Sequence, residues 1–190
     1  MRTGAINTIC KSAGRVALAV ACILLLPWLA RHCTDAVAWD LTDVAVAGAL
    51  LCGAGVTYAL VARQAGHLAY RAAVGVAVAA ALLPVWMNLA VGLIGSEDHP
   101  ANLMYVGVLA IGIMGAVLAH LQPRGMARAI FATACAQAWV AVIALIAGWG
   151  SPGSGPRETL VLNGCFVALF VGSAWLFRRA APGRPERGGA

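Results

Sequence analysis

The sequence predicts an all-α polytopic transmembrane bundle of six spans with both termini cytoplasmic, and three observations carry that prediction. The chain is 62% hydrophobic and 11% charged with a mean hydropathy of +0.85, too few polar residues to clothe a water-soluble domain. Six apolar stretches, at 16–30, 41–62, 72–94, 101–121, 129–149 and 159–177, recur between short polar gaps. The charges in those gaps alternate by sign. Arg2, Lys11, Arg15, Arg63, Arg71, Arg124, Arg128, Arg178, Arg179, Arg184 and Arg187 fall in every second gap. Asp35, Asp40, Asp43, Glu97, Asp98 and Glu158 fall in the others, with Arg31 and Arg157 as the cations there. Such a bias is what the positive-inside rule produces in a polytopic membrane protein. The net charge of +6 is therefore read as cytoplasmic anchors that attract anionic lipid heads, with no nucleic-acid partner.

The first stretch is short. Fifteen residues separate Arg15 from Arg31, about 22 Å of helix at 1.5 Å per residue, so it spans only if both arginines snorkel or the bilayer thins. A cleaved signal peptide ending at Ala36-Val37-Ala38 is the alternative, although that site lies eight residues past Ala30 across Arg31, His32 and Asp35. The other five stretches are 19 to 23 residues long, enough for a hydrocarbon core of about 30 Å.

The second stretch places Ala45, Gly48, Cys52, Gly55, Ala59 and Ala62 at steps of three and four, a smooth stripe that a neighbouring helix can approach. In the third, Ala77, Ala81, Pro84, Asn88, Gly92 and Gly95 make a second seam. Its proline frees a backbone carbonyl, and its amide can bond across helices. Pro84 reads either as a packing irregularity or as a hinge in a transport pathway. Gly112, Gly115 and Ala119 offer a seam on the fourth stretch. On the fifth, Thr133 and Gln137 lie four apart on one face and are read as interhelical hydrogen-bond partners. Trp139, deep in the membrane, would need Gln137 or a backbone carbonyl for its indole N–H. The connections are read as seven to ten residues, which makes sequential spans antiparallel within one bundle, 1–179. Residues 180–190, rich in Pro, Gly and Arg, are expected to be a disordered cytoplasmic tail.

The densest polar cluster is the outer loop Gly95-Ser96-Glu97-Asp98-His99-Pro100-Ala101-Asn102. Asp43, Asn88, Tyr105 and Asn163 lie within roughly 10 Å of the same surface at 1.5 Å per residue. Glu97, Asp98, Asn102, Asn88, Tyr105, Asp43 and Asn163 together form a candidate ligand or ion entrance, because intramembrane polar groups cost free energy unless paired. The competing reading is structural. Pro100 suits a first helical turn, Asp98 or His99 can cap it, and carboxylates favour a helix N-terminus.

His32, Cys33 and Asp35 with Glu97, Asp98 and His99 are zinc-compatible types, but no pair has a diagnostic spacing, so neither a metal nor another cofactor is expected. Cys22, Cys52, Cys135 and Cys165 lie inside spans and Cys33 alone in an outer loop, which is no disulfide framework. No nucleophile elbow, HExxH or phosphate-binding loop is present, so no enzymatic activity is expected.

The stretch Asn88-Leu-Ala-Val-Gly-Leu-Ile-Gly-Ser-Glu-Asp-His-Pro-Ala-Asn-Leu-Met-Tyr105 resembles a segment of a family of small, uncharacterised bacterial multi-pass inner-membrane proteins, a likeness that extends from about Asp43 to Arg179. The resemblance implies a bacterial origin and a shared outer loop, and brings no activity with it. That pattern carries a plain amide where this chain has His99, which argues against a ligand role there. The functional expectation is an accessory or interaction protein of the membrane, associating with other membrane proteins or itself through its Gly and Ala seams. A small-solute or ion transporter entered through Glu97, Asp98 and Asn102 is the alternative.

Overall fold

The computed structural model describes residues 41–63, 66–90, 93–94, 99–149 and 156–182. Outside them lie the 16–30 stretch with its signal-peptide alternative, His32, Cys33, Asp35, Gly92, Glu97, Asp98 and the tail beyond 182. The side chain of Asp43 is likewise not described. All secondary structure among the described residues is helical: α1 (Leu41–Ala62), α2 (Leu68–Ala90), a 3₁₀ turn (Pro100–Asn102), α3 (Leu103–Leu118), α4 (Pro123–Ile146) and α5 (Pro156–Ala180). These five helices, α3 together with the turn before it, are long and apolar enough to cross a membrane. They mark the chain as a membrane protein.

The chain divides into two compact units, Met1–Gln64 and Ala65–Ala190. In the first, α1 coincides with the second predicted stretch. Ala47 and Leu51, one turn apart, are buried, whereas Val46, Val56 and Leu60 are exposed. Thr57 returns its hydroxyl to the Gly53 carbonyl at 2.8 Å, satisfying a polar side chain within its own helix.

In the second unit α4 packs on α5, α5 on α2, and α3 on the other side of α4, while α2 and α3 barely touch. Successive contacts run antiparallel. A Cβ on Gly112 would meet Thr133, one on Gly115 would meet Ala129, and one on Gly125 would meet Ala119. On the opposite flank the Ser173 hydroxyl donates to the Ala73 carbonyl at 2.8 Å. Nearby, Tyr70 and Phe177 meet edge to face at 5.0 Å.

Several helix limits differ from the predicted stretches, most consequentially at α2 and α4. α2 starts a turn earlier, and Leu93 and Ile94 leave the helix to be buried in a cluster with Tyr105, Val108, Val140 and Phe166. α4 begins at Pro123, so Arg124 and Arg128 are helical; their charges mimic a loop in a hydropathy profile, yet arginine is a good helix former and its long side chain reaches water from a helix end. The α3–α4 connection thereby shrinks from the predicted seven to ten residues to four, 119–122.

That turn is built tightly. The Leu121 N–H reaches back to the Ala116 carbonyl at 3.4 Å and that of His120 to Val117 at 3.0 Å, the pattern that closes a helix through left-handed residues. Those residues are His120 (φ 48°) and Leu121 (φ 57°), neither a glycine. Gln122 is then extended, as the residue before a proline must be, and Pro123 opens α4 where a missing N–H costs nothing. The Tyr70 hydroxyl braces the turn by donating to the Leu121 carbonyl at 2.6 Å. The far end of α4 uses a glycine for the same purpose, Gly148 at φ 68°, with Trp149 N–H bonded to Ala144 at 2.9 Å.

Candidate functional site

Polar side chains inside an apolar bundle must find partners, because lipid supplies none. Three of those in the second unit find each other. Asn163, fully buried on α5, accepts from the Tyr105 hydroxyl of α3 at 3.0 Å and from Gln137 Nε2 of α4 at 2.7 Å, both on Oδ1. Its own Nδ2 donates to the Thr159 carbonyl one turn back at 2.8 Å. One amide thus ties three helices, and the surrounding Phe166, Val140 and Val108 keep the knot dry.

Gln137 and Thr133 share a buried face of α4, as their spacing predicts, but only Gln137 bonds across helices. The Thr133 hydroxyl turns back to the Ala129 carbonyl at 3.0 Å. Its side chain fits against Gly112, where an added Cβ would lie 3.2 Å from the hydroxyl oxygen. Gln137 does not serve Trp139. The two residues are about 200° apart around the helix, so Gln137 points into the bundle while Trp139 is 66% exposed on the outer surface.

The candidate entrance residues that the structure describes are thus brought together only in part. Tyr105 and Asn163 bond directly. Asn102, also buried, accepts from the Ile94 N–H at 3.1 Å and so pins the chain after α2 to the start of α3. Asn88 keeps a buried Oδ1 that has no hydrogen-bond partner, as does Gln137 Oε1. His99 caps the 3₁₀ turn, its Nδ1 accepting from the Ala101 N–H at 3.2 Å with Pro100 at the first position. Its ring sits edge-on to Trp149 at 5.2 Å. Among the described residues no three His, Cys, Asp or Glu converge as a metal site would need.

Of the packing residues, Gly112 and Gly115 lie against α4, the latter so close that a Cβ would come within 2.7 Å of Ala129. Gly48 and Gly55 on α1 are half-buried, with Cys52 exposed between them as a free thiol.

A second polar locus went unread in the sequence, where the arginines served only to orient the spans. At the opposite end of α4 and α5 a groove of about 800 Å³ is lined by Arg124, Arg128, Phe131, Val171, Trp175 and Arg178. The signal was available as a repeat: on each helix an arginine and an aromatic sit three apart, Arg128 with Phe131 and Trp175 with Arg178.

No protein-family model, curated protein or solved structure matches the chain.

Proposed function

We propose that this chain is a non-enzymatic accessory protein of a bacterial inner membrane, acting through association of its helix faces with another membrane protein or a second copy of itself. The supporting observation is where its intramembrane polarity goes: Tyr105 and Asn163, two residues of the candidate entrance, spend hydrogen bonds together with Gln137 on joining α3, α4 and α5. A rigid helical frame with an apolar exterior does its work at that exterior. Six spans and two cytoplasmic termini are the topology that the alternation of charge supports, and the resemblance of residues 88–105 supports a bacterial source.

The test uses the exposed Cys52 thiol in the middle of the α1 stripe. In native membranes, a variant whose only cysteine is Cys52 should form a defined cross-linked species, and Gly48→Leu or Gly55→Leu should abolish it. Cross-linking indifferent to both substitutions would sink the stripe as an association face.

Transport of a small polar solute is the second reading, favoured by the two buried acceptors without partners, Asn88 Oδ1 and Gln137 Oε1. Each buried orphan costs roughly 1–3 kcal/mol, a cost that a ligand's donors would offset. Solute-dependent stabilisation lost in Asn88→Leu would promote it.

A further inference from the structure

The groove between the N-terminal end of α4 and the C-terminal end of α5 has a graded wall. Going inward from the helix ends, α4 presents Arg124, then Arg128, then Phe131; α5 presents Arg178, then Trp175, then Val171. Each helix therefore changes from guanidinium to apolar surface over about 10 Å, counting 1.5 Å per residue. Between them the buried Ala127 and Ala174 supply no bulk, which leaves the floor open.

The rim is fixed in place. Arg124 donates to the Pro182 carbonyl at 2.6 Å, joining the start of α4 to the end of α5 and using one of its five donors. Arg179 stacks over the Trp175 ring at 3.5 Å, adding a fourth cation beside the groove. The only carboxylate among the described residues of this unit is Glu158, twenty residues before Arg178 and so about 30 Å away along α5.

Four cations held together with no counter-ion among the described residues repel one another, and an anion would relieve that repulsion. Inorganic anions would match the rim but not the apolar floor. We propose that this groove is a binding site for an anionic phospholipid, its phosphate held by Arg124, Arg128 and Arg178 and an acyl chain laid along Phe131 and Val171. Guanidinium groups suit the phosphate because they offer paired donors to its oxygens. The first turn of α4 adds its positive dipole end. A zwitterionic lipid would bring its own cation to a rim that already has a surplus.

Full-length protein in detergent is titrated with phosphatidylglycerol or phosphatidylcholine, and one-lipid adducts are counted by native mass spectrometry. The site requires preferential retention of phosphatidylglycerol. Each single change, R124Q, R128Q or R178Q, should weaken it about fivefold, and the triple variant about a hundredfold, at the surface-cation strength expected near anionic lipid. R71Q, which removes an arginine that does not line the groove, should leave it unchanged. V171W fills the floor and leaves every charge; it should also weaken binding, and full retention would reduce the site to surface electrostatics and overturn it. Phosphatidylcholine binding as tightly, or inorganic phosphate displacing the lipid at equal concentration, would overturn it too. The rim residues are solvent-exposed, so the single variants fold, and circular dichroism verifies that.

Discussion

Tyr105 on α3 and Gln137 on α4 donate to the same atom, Asn163 Oδ1, at 3.0 and 2.7 Å. Both lone pairs of that oxygen are thereby used, and the two donors depend on a residue from a third helix. Removing the hub is therefore worse than removing a spoke.

Asn163→Ala is expected to cost about 1–2 kcal/mol, because it strands two buried donors. Gln137→Met should cost under about 1 kcal/mol, since it leaves the Tyr105 bond intact and also deletes the orphan Oε1. Unfolding in detergent titrated with sodium dodecyl sulfate ranks the two; equal losses would contradict the shared-acceptor geometry.

Gly115→Ala puts a Cβ 2.7 Å from the Ala129 Cβ and 3.2 Å from its backbone Cα. Backbone cannot swing aside, so α3 and α4 must separate, at about 1–3 kcal/mol for overpacking. Gly53→Ala and Gly164→Ala meet nothing within 4 Å and should be neutral or slightly stabilising through better helix propensity. Melting temperatures of the three variants provide the comparison.

Tyr70→Phe removes the hydroxyl bonded to Leu121 but keeps the ring against Phe177. A loss of about 1 kcal/mol is expected, against about 3–5 kcal/mol for Tyr70→Ala, which also opens a cavity. If the two variants unfold alike, the ring contact contributes nothing.

His120→Gly should raise stability. A left-handed backbone at φ 48° costs a non-glycine residue about 1 kcal/mol, which the extra chain entropy of glycine offsets only in part, so a gain of a few tenths of a kcal/mol is expected. A decrease in melting temperature would show that the His120 ring contact with the Leu118 carbonyl, at 3.0 Å, matters more.

A reporter fused after Arg179 should be cytoplasmic, and one inserted between Gly95 and Asp98 should be external, as alternation of charge predicts. An external signal at the first position would overturn the six-span topology.

The helices were legible in the sequence because each apolar stretch averages over some twenty side chains, so one misread residue hardly matters. Their ends were not. Arg124 and Arg128 look like loop when judged by charge, yet helix geometry accommodates them once their side chains run outward. The knot was half legible: Gln137 and Asn163 stand out as amides in apolar runs, but which helix faces which depends on packing that no single segment encodes. The groove went unread for a different reason. Its arginine and aromatic lining comes from two helices whose arginine ends are brought side by side only by the antiparallel fold.

Fully stretched, the four residues 119–122 reach about 14 Å, less than half of a hydrocarbon core of about 30 Å. With α3 across a bilayer, α4 can therefore begin only on the side where α3 ends. The two helices are bound to one hairpin, so Arg124 and Arg128 at the start of α4 lie on the side where both helices meet.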